Sequence, residues 1–393
     1  MRGDPFRRLC PEVYAVGMQR WLCLLVLSVV TPAGAQAVGT QAVGTQDLQK
    51  CGGVLNPPGW TRSGVYSGLL GIRAITLGLD IQDSDSSRYF YAGRPLDLRL
   101  RTFHSGETLI LQEEVRRSLG SAPVVTGCFM LTRTAGGLRG SWKAPGTVKP
   151  GTVKALKVSL EPLNVAKLPL KLPPSPGLQK LRSSDPLAFV KLNRAWVVSA
   201  DGHSVREPLS GLEYPRLPDT SAALQAALQD RLLFNAVNAL ECGSSLPEDS
   251  QGNGYNLHAD VTLLTSRLIS LRENTDYYCG GAHPGNFTVG LILDRVKGRP
   301  VPLATLWPSL TPTRLKALYL AASGSDPASE CDDVLRDMES SFAVSLSSGG
   351  LTLTPDLLPH VVSACAESVV IPYGQLRRGA NVGSPYFADL YSK

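Results

Sequence analysis

Ile75-Thr76-Leu77-Gly78-Leu79-Asp80-Ile81 places an apolar residue at every second position. That is the period of a half-buried strand, whose successive side chains point to opposite faces of a sheet. The same beat recurs at Leu96, Leu98 and Leu100, at Leu109 and Leu111, at Phe129 and Leu131, at Leu138 with Trp142, and at Leu156, Val158 and Leu160. Breaks fall at Asp83-Ser84-Asp85-Ser86-Ser87, His104-Ser105-Gly106 and Ala135-Gly136-Gly137, all of turn composition. Residues 51–163 are therefore expected to form an all-β antiparallel meander of about seven or eight strands, rolled into a small barrel or sandwich.

On the N-terminal side, Trp21-Leu22-Cys23-Leu24-Leu25-Val26-Leu27-Ser28-Val29-Val30 carries no charge and follows Arg20. With the small residues of Pro32-Ala33-Gly34-Ala35-Gln36-Ala37 behind it, this reads as a secretory signal over residues 1–35, cleaved after Ala35 or Ala37. Ten residues rise only about 15 Å as a helix, half a bilayer, so no stable transmembrane anchor is expected. Met18 would give a more compact start than Met1. Residues 36–50 open with QAVGT twice, and Pro145 to Lys154 repeats PGTVK twice. Both are expected to be flexible, the second as a hairpin loop.

On the C-terminal side, Leu168 to Gly177 holds four prolines and cannot lie inside a sheet, which makes 164–182 the expected linker. Beyond it, Thr220 to Glu241 has Leu224, Leu228, Leu232, Leu233, Ala236, Val237 and Leu240 at helical spacing, with Asp219 or Thr220 placed to cap. Strand-like runs follow at 256–265, 267–272 and 288–294, helical ones at 312–322 and 326–338, and short strands at 342–344 and 367–371. Residues 183–393 thus read as an α+β domain with helices packed on an antiparallel sheet, the second of two domains.

The chain of 393 residues carries a formal +6. The charge is not one patch: residues 47–163 hold 15 Lys and Arg against 9 Asp and Glu, whereas residues 183–393 hold 16 against 22. A basic β-module joined to an acidic α+β module argues against nucleic acid; solvated faces explain such asymmetry more often than partners do, yet an acidic exported module would also attract a basic partner by long-range steering. Without the signal, six cysteines remain: Cys51, Cys128, Cys242, Cys279, Cys331 and Cys365. An even number in an exported chain suggests disulfides, and neighbourhood in the chain favours Cys51 with Cys128, Cys242 with Cys279, and Cys331 with Cys365. None is spaced as a zinc site, none of the five histidines forms a metal-ligand pattern, and no nucleophile elbow or phosphate loop occurs, so neither cofactor nor metal is expected. Glu113-Glu114 is expected to be a solvated pair.

One segment is unusual: Asp276-Tyr277-Tyr278-Cys279-Gly280-Gly281-Ala282-His283-Pro284-Gly285-Asn286. Its glycines permit left-handed backbone, and Tyr278, His283 and Asn286 supply polar groups, so it reads either as a binding loop or as a structural loop tied through Cys279. This segment resembles the YxGGAHxN signature of the extracytoplasmic domain of RsiV-type anti-sigma factors, also found in a peptidoglycan deacetylase. Glu367 to Leu376, with Pro372-Tyr373, is similar to that family's closing IPY turn, and Pro302 to Trp307 to another of its stretches. The meander is similar to a small barrel domain that often precedes it in bacterial exported proteins. The resemblance covers about residues 185–385 and implies a non-enzymatic extracytoplasmic binding domain, with lysozyme as partner in the anti-sigma relatives.

The sequence is thus expected to encode an exported bacterial envelope protein, periplasmic or extracellular, that recognises a protein or glycan partner, a lysozyme-like muramidase among them. Its candidate binding or structural residues are Tyr278, Gly280, Gly281, His283, Asn286, Pro372 and Tyr373. Two other readings compete: a cell-wall glycan hydrolase using His283 with Asp276 or Asp294, and an adaptor whose barrel holds a small apolar ligand.

Overall fold

The computed structural model describes residues 50–145, 155–247, 250, 254–281, 283–324, 330–337, 341–356, 358 and 360–392. The expected signal and the QAVGT repeat lie outside these residues, as does nearly all of the PGTVK repeat.

The alternating runs become strands β1 (Val54–Leu55), β2 (Gly64–Leu70), β3 (Arg73–Leu79), β4 (Ser87–Tyr91), β5 (Leu98–Ser105), β6 (Thr108–Val115), β7 (Val124–Thr134), β8 (Gly137–Lys143) and β9 (Leu156–Pro162). From β2 to β9 each strand pairs antiparallel with the next, and β9 pairs back with β2, which closes an eight-stranded barrel. β1 adds to the outer end of β5. Closure removes the sheet edges, and the inward half of the alternation fills the interior: Leu70, Ile75, Leu77, Leu79, Tyr89, Leu100, Leu109, Leu111, Phe129, Leu131, Leu138, Val158 and Leu160 are all buried together. An eight-stranded barrel is wide enough either to be filled by side chains or to hold one small ligand, and here the inward side chains pack on one another, so a small apolar ligand would have to displace them. Two sequence expectations need correction here. Leu96 is not in a strand: β5 begins at Leu98, and Leu96 stands exposed in the preceding turn. Glu113 is not solvated but points inward, where Tyr89 O–H, Thr126 Oγ1 (2.6 Å) and Trp142 Nε1 (3.3 Å) donate to its carboxylate.

After the barrel, the proline-rich stretch leads into α1 (Pro176–Ser184) and α2 (Pro186–Leu192). Each has proline at its first position, where the missing N–H costs nothing, and an N-cap side chain, Ser175 or Asp185, that accepts from the third residue on. Val165, Leu172 and Leu178 of this stretch share one buried cluster with Val65 and Phe90 of the barrel and with Leu187, Phe189 and Leu192 of α2. A small sheet of β10 (Val197–Val198), β11 (Ser204–Arg206) and β12 (Glu213–Pro215) precedes α3 (Ala222–Ser245). The cap of α3 is Ser221, whose Oγ accepts from Leu224 N–H, rather than Asp219 or Thr220. The helix is apolar on two sides. Leu233, Ala236 and Leu240 join the barrel-side cluster, while Leu224, Leu228 and Leu232 lie under the next sheet.

That sheet is β13 (Tyr255–Leu264), β14 (Leu268–Tyr277) and β15 (Gly285–Asp294), a meander of three ten-residue strands. The chain then runs through α4 (Leu303–Leu306), α5 (Pro312–Ala322) and α6 (Glu330–Asp337) to β16 (Ser341–Leu346), β17 (Gly350–Asp356) and β18 (Val369–Pro372), and ends in α7 (Tyr373–Leu376) and α8 (Phe387–Tyr391). The β16–β18 sheet crosses the far end of β14 and β15. Leu346 N–H donates to Ser270 Oγ (2.8 Å), and the Val344 backbone passes where a Cβ on Gly290 would sit. From Leu48 on, the chain is one compact unit, mostly β, with a barrel, further sheets and a few helices. Three disulfides tie it: Cys51–Cys128, Cys242–Cys279 and Cys331–Cys365. No described helix is long and apolar enough to cross a membrane.

α8 is clamped to the β13–β14 turn by one carboxylate. Asp389 accepts from Thr265 Oγ1 (2.6 Å), Ser266 Oγ (2.9 Å) and Arg267 N–H (2.8 Å). Burial pushes its pKa up, but these donors outweigh burial and hold it below the ordinary aspartate value. A lowered folded-state pKa adds stability that is complete above the unfolded value, near 3.9, and is lost as pH falls through the lowered one. Asp389→Asn should therefore lower the urea midpoint at neutral pH, and the gap to the parent should close in acid. Urea titrations at several pH values read this directly; a gap independent of pH would refute it.

Candidate functional site

The register of β13–β15 decides which side chains meet. Asn256 lies opposite Asp276, and Asp276 opposite Asn286, so that the three form one row across the sheet. All three are exposed. Two residues further along, on the same face, come His258, Asn274 and Thr288, and then Asp260, Arg272 and Gly290. His258 Nε2 is 3.0 Å from Asp260, and Thr288 Oγ1 donates to Asn274 (3.1 Å). The opposite face of the same strands, with Tyr255, Leu271, Ile269 and Leu293, is packed on α3.

At the free end of the sheet a groove of about 310 Å³ is lined by Gly254, Asn256, Asp276, Tyr277, Tyr278, Pro284, Gly285 and Asn286. Its wall is fixed by covalent and hydrogen bonds. Tyr278 N–H donates to the Gly254 carbonyl (2.6 Å), and Tyr278 O–H donates to the Gly281 carbonyl (3.1 Å). Gly280 has φ +87°, a conformation that a side chain would strain. Cys279 is held to Cys242 at the C-terminal end of α3, and Cys242 Sγ lies 3.2 Å from the Gly254 carbonyl oxygen. The loop is therefore tied from below while its polar groups face outward.

Under the sheet lies a carboxylate of a different kind. Glu273 has no exposed surface; Arg231 Nε donates to it (2.9 Å), as does a second Arg231 nitrogen, and Tyr214 O–H donates at 2.5 Å. Burial, then the neighbouring Glu273 charge, raise the Tyr214 pKa well above its usual value. Asn235 accepts from Tyr255 O–H (2.7 Å), which extends the network along α3. These groups satisfy one another and stand behind the exposed row as its support.

The remaining sequence candidates are placed as follows. His283 and Gly281 are exposed in the loop between the groove-lining residues Tyr278 and Pro284, and do not line the groove themselves. Asp276 lines it. Asp294 does not: it closes β15 at the far end, about 30 Å from Gly285 for ten extended residues. Its carboxylate is occupied by Tyr386 O–H (2.6 Å) and by the backbone N–H groups of Val296 and Lys297. The pairing of His283 with Asp294 is thereby ruled out. Pro372 and Tyr373 are not part of the groove either. Pro372 pairs with Gly350, and Tyr373 stacks on Trp307 and donates to the Ser347 carbonyl (2.9 Å), in the core of the β16–β18 region. Among the described residues, no cluster of three or more His, Cys, Asp and Glu side chains could hold a metal. Sequence reading missed Asn256 as a partner of Asp276 and Asn286. The signal was there in the polar half of Asn256-Leu257-His258-Ala259-Asp260 and of Arg272-Glu273-Asn274-Thr275-Asp276.

A second cavity, of about 240 Å³, lies between β4–β5 and helices α2 and α3. Within it Arg88 is paired with Asp97 (2.9 Å) and Asp185 (2.5 Å), and the buried Lys191 with Asp97. Lys191 also lies 4.7 Å from the centre of the Phe90 ring. Burial lowers its pKa despite the attraction of Asp97. This cluster fastens the barrel to the helices.

No family model matches the chain, and no curated protein matches it. Among solved structures it is similar to a DUF3298 family member from Bacteroides fragilis NCTC 9343, with 19% identity over 46% of this chain and 87% of that one and a TM-score of 0.34. It is also similar to a DUF3298 family protein from Pseudomonas aeruginosa PAO1, with 18% identity over 41% of this chain and 71% of that one and a TM-score of 0.26.

Proposed function

We propose that this chain is an exported envelope protein without catalytic activity, whose C-terminal half recognises a cell-wall glycan at the groove end of β13–β15. The observation that carries the reading is the exposed row Asn256, Asp276 and Asn286 beside a groove lined by Tyr277 and Tyr278. Amides and a carboxylate offer paired donors and acceptors for sugar hydroxyl and acetamido groups, and a tyrosine supplies an apolar ring with a polar tip. Three disulfides suit an oxidising compartment. The tie of Cys279 to α3 keeps the groove in shape before a ligand arrives, which limits the ordering cost of binding.

A basic protein partner of the lysozyme kind is the second reading, favoured by the excess of acidic residues over 183–393. Calorimetric titration with a soluble chito-oligosaccharide and with lysozyme, each at low and high salt, separates the two. The glycan reading expects saccharide binding indifferent to salt and weakened about tenfold by Asn286→Ala or Asp276→Ala, the loss of one or two hydrogen bonds. Binding of lysozyme alone, suppressed by salt, would replace the glycan with the protein partner. Binding of neither would remove both.

A further inference from the structure

The two ends of the barrel differ in charge and in polarity. At the end of the barrel where β2, β4, β6 and β8 finish, the described residues Arg73, Arg94, Arg117, Lys143 and Lys157 are exposed. The acidic side chains described there are engaged: Asp97 by Arg88 and Lys191, and Glu114 by Gln112. The opposite end carries both signs, with exposed Asp83, Asp85, Glu107 and Glu161 beside exposed Arg62, Arg133 and Arg139, and Asp85 is paired with Arg101.

The basic end also holds the most exposed large apolar side chain among the described residues. Ile72 is 97% exposed at the apex of the β2–β3 hairpin. Gly71, with φ +61°, takes the left-handed position at the start of this two-residue turn. Such apices ordinarily carry Asn, Asp, Ser or Gly. Gly71 N–H donates to the Lys157 carbonyl (2.8 Å), and the Leu156 side chain lies over Gly71. Leu69 and Leu156 are themselves 47% and 39% exposed. An apolar tip is thus ringed by cations, with Arg73 lying 5.8 Å from the centre of the Tyr91 ring.

We propose that the β2–β3 corner of this end of the barrel docks on an anionic lipid bilayer, an inference that does not rest on the glycan reading of the groove. Ile72 and Leu156 would enter the boundary between headgroups and acyl chains, while Arg73, Lys157 and their neighbours meet lipid phosphates. The charge chooses an anionic surface, and the apolar apex chooses a bilayer over a purely hydrophilic polyanion. The apex is a two-residue turn whose Gly71 N–H is bonded to β9 at the Lys157 carbonyl, which holds the Ile72 tip beside Leu156.

Sedimentation of the purified protein with vesicles tests the proposal. Binding is expected to vesicles rich in phosphatidylglycerol and not to vesicles of phosphatidylcholine alone. Ile72→Ser should weaken it about tenfold, and Arg73→Gln combined with Lys157→Gln should do so by at least about tenfold. Both sites are exposed, and circular dichroism should show the parent fold. Val361→Ser, at an 85% exposed position outside the barrel, should leave binding unchanged. Absence of binding to either vesicle would overturn the proposal. So would binding that Ile72→Ser leaves intact, which is the result expected of a polyanion site, or an equal loss with Val361→Ser.

Discussion

Glu273→Ala is expected to destabilise the protein by about 3–5 kcal/mol, the range for removing one partner of a buried ion pair. Glu273 of β14 is fully buried on the face turned to α3, and its two oxygens take both Arg231 contacts and the Tyr214 hydroxyl. Alanine would leave the buried Tyr214 O–H without its acceptor, in a space shaped for a carboxylate. Arg231 keeps a partial path to solvent, with 26% of its side chain exposed, which places the cost at the lower end of the range. Gln in place of Glu273 keeps the volume and an acceptor for Tyr214, so Glu273→Gln should cost less than Glu273→Ala. Urea denaturation of both variants, with the exposed Glu213→Ala as a control expected to lie within about 0.5 kcal/mol of the parent, measures this. A loss for Glu273→Ala no larger than the control's would mean that the network contributes nothing to stability.

What could be read from sequence follows from which periods are long enough to register. The barrel shows itself because β2–β9 repeat a two-residue period over some hundred positions, and α3 because a 24-residue helix repeats the 3.6-residue one several times. β10, β11 and β12 are two or three residues long and carry no period at all. α1 and α2 are hidden for another reason. Each starts on proline, which reads as a breaker in a run such as Leu168 to Gly177 yet is well suited to a first helical position. The groove loop is conspicuous for its paired glycines. The row it serves is not, since Asn256, Asp276 and Asn286 are separated by 20 and 10 positions and meet only through strand register. Tyr278 and Tyr373 come from two stretches read together as candidate binding or structural residues, but the fold sends them to opposite ends of the β13–β15 region, the first to the groove wall and the second to a stacked aromatic core.

Removing the Cys242–Cys279 link by Cys242→Ala with Cys279→Ala is expected to cost about 4 kcal/mol. The bond spans 37 positions, and the chain-entropy argument assigns a closed loop of that length this much restriction of the unfolded state. The effect should not stop at global stability. Cys242 closes the last turns of α3, whose other groups hold the sheet from beneath, and Cys279 follows directly on the groove residue Tyr278. Without the bond, the segment from Tyr278 to Gly281 retains the Tyr278 N–H bond to Gly254 and the short Tyr278 contact with Gly281, neither of which anchors it to α3. Hydrogen exchange should therefore accelerate locally at residues 277–281 before it does in β2–β9, and, if the groove takes the proposed glycan, saccharide affinity should fall even where the protein stays folded. Native exchange measured on the double variant, beside its urea midpoint, separates the two effects. A lowered midpoint with unchanged exchange at Tyr277 and Tyr278 would assign the bond to the unfolded state alone, whereas fast exchange there with weakened binding would assign it to the groove as well.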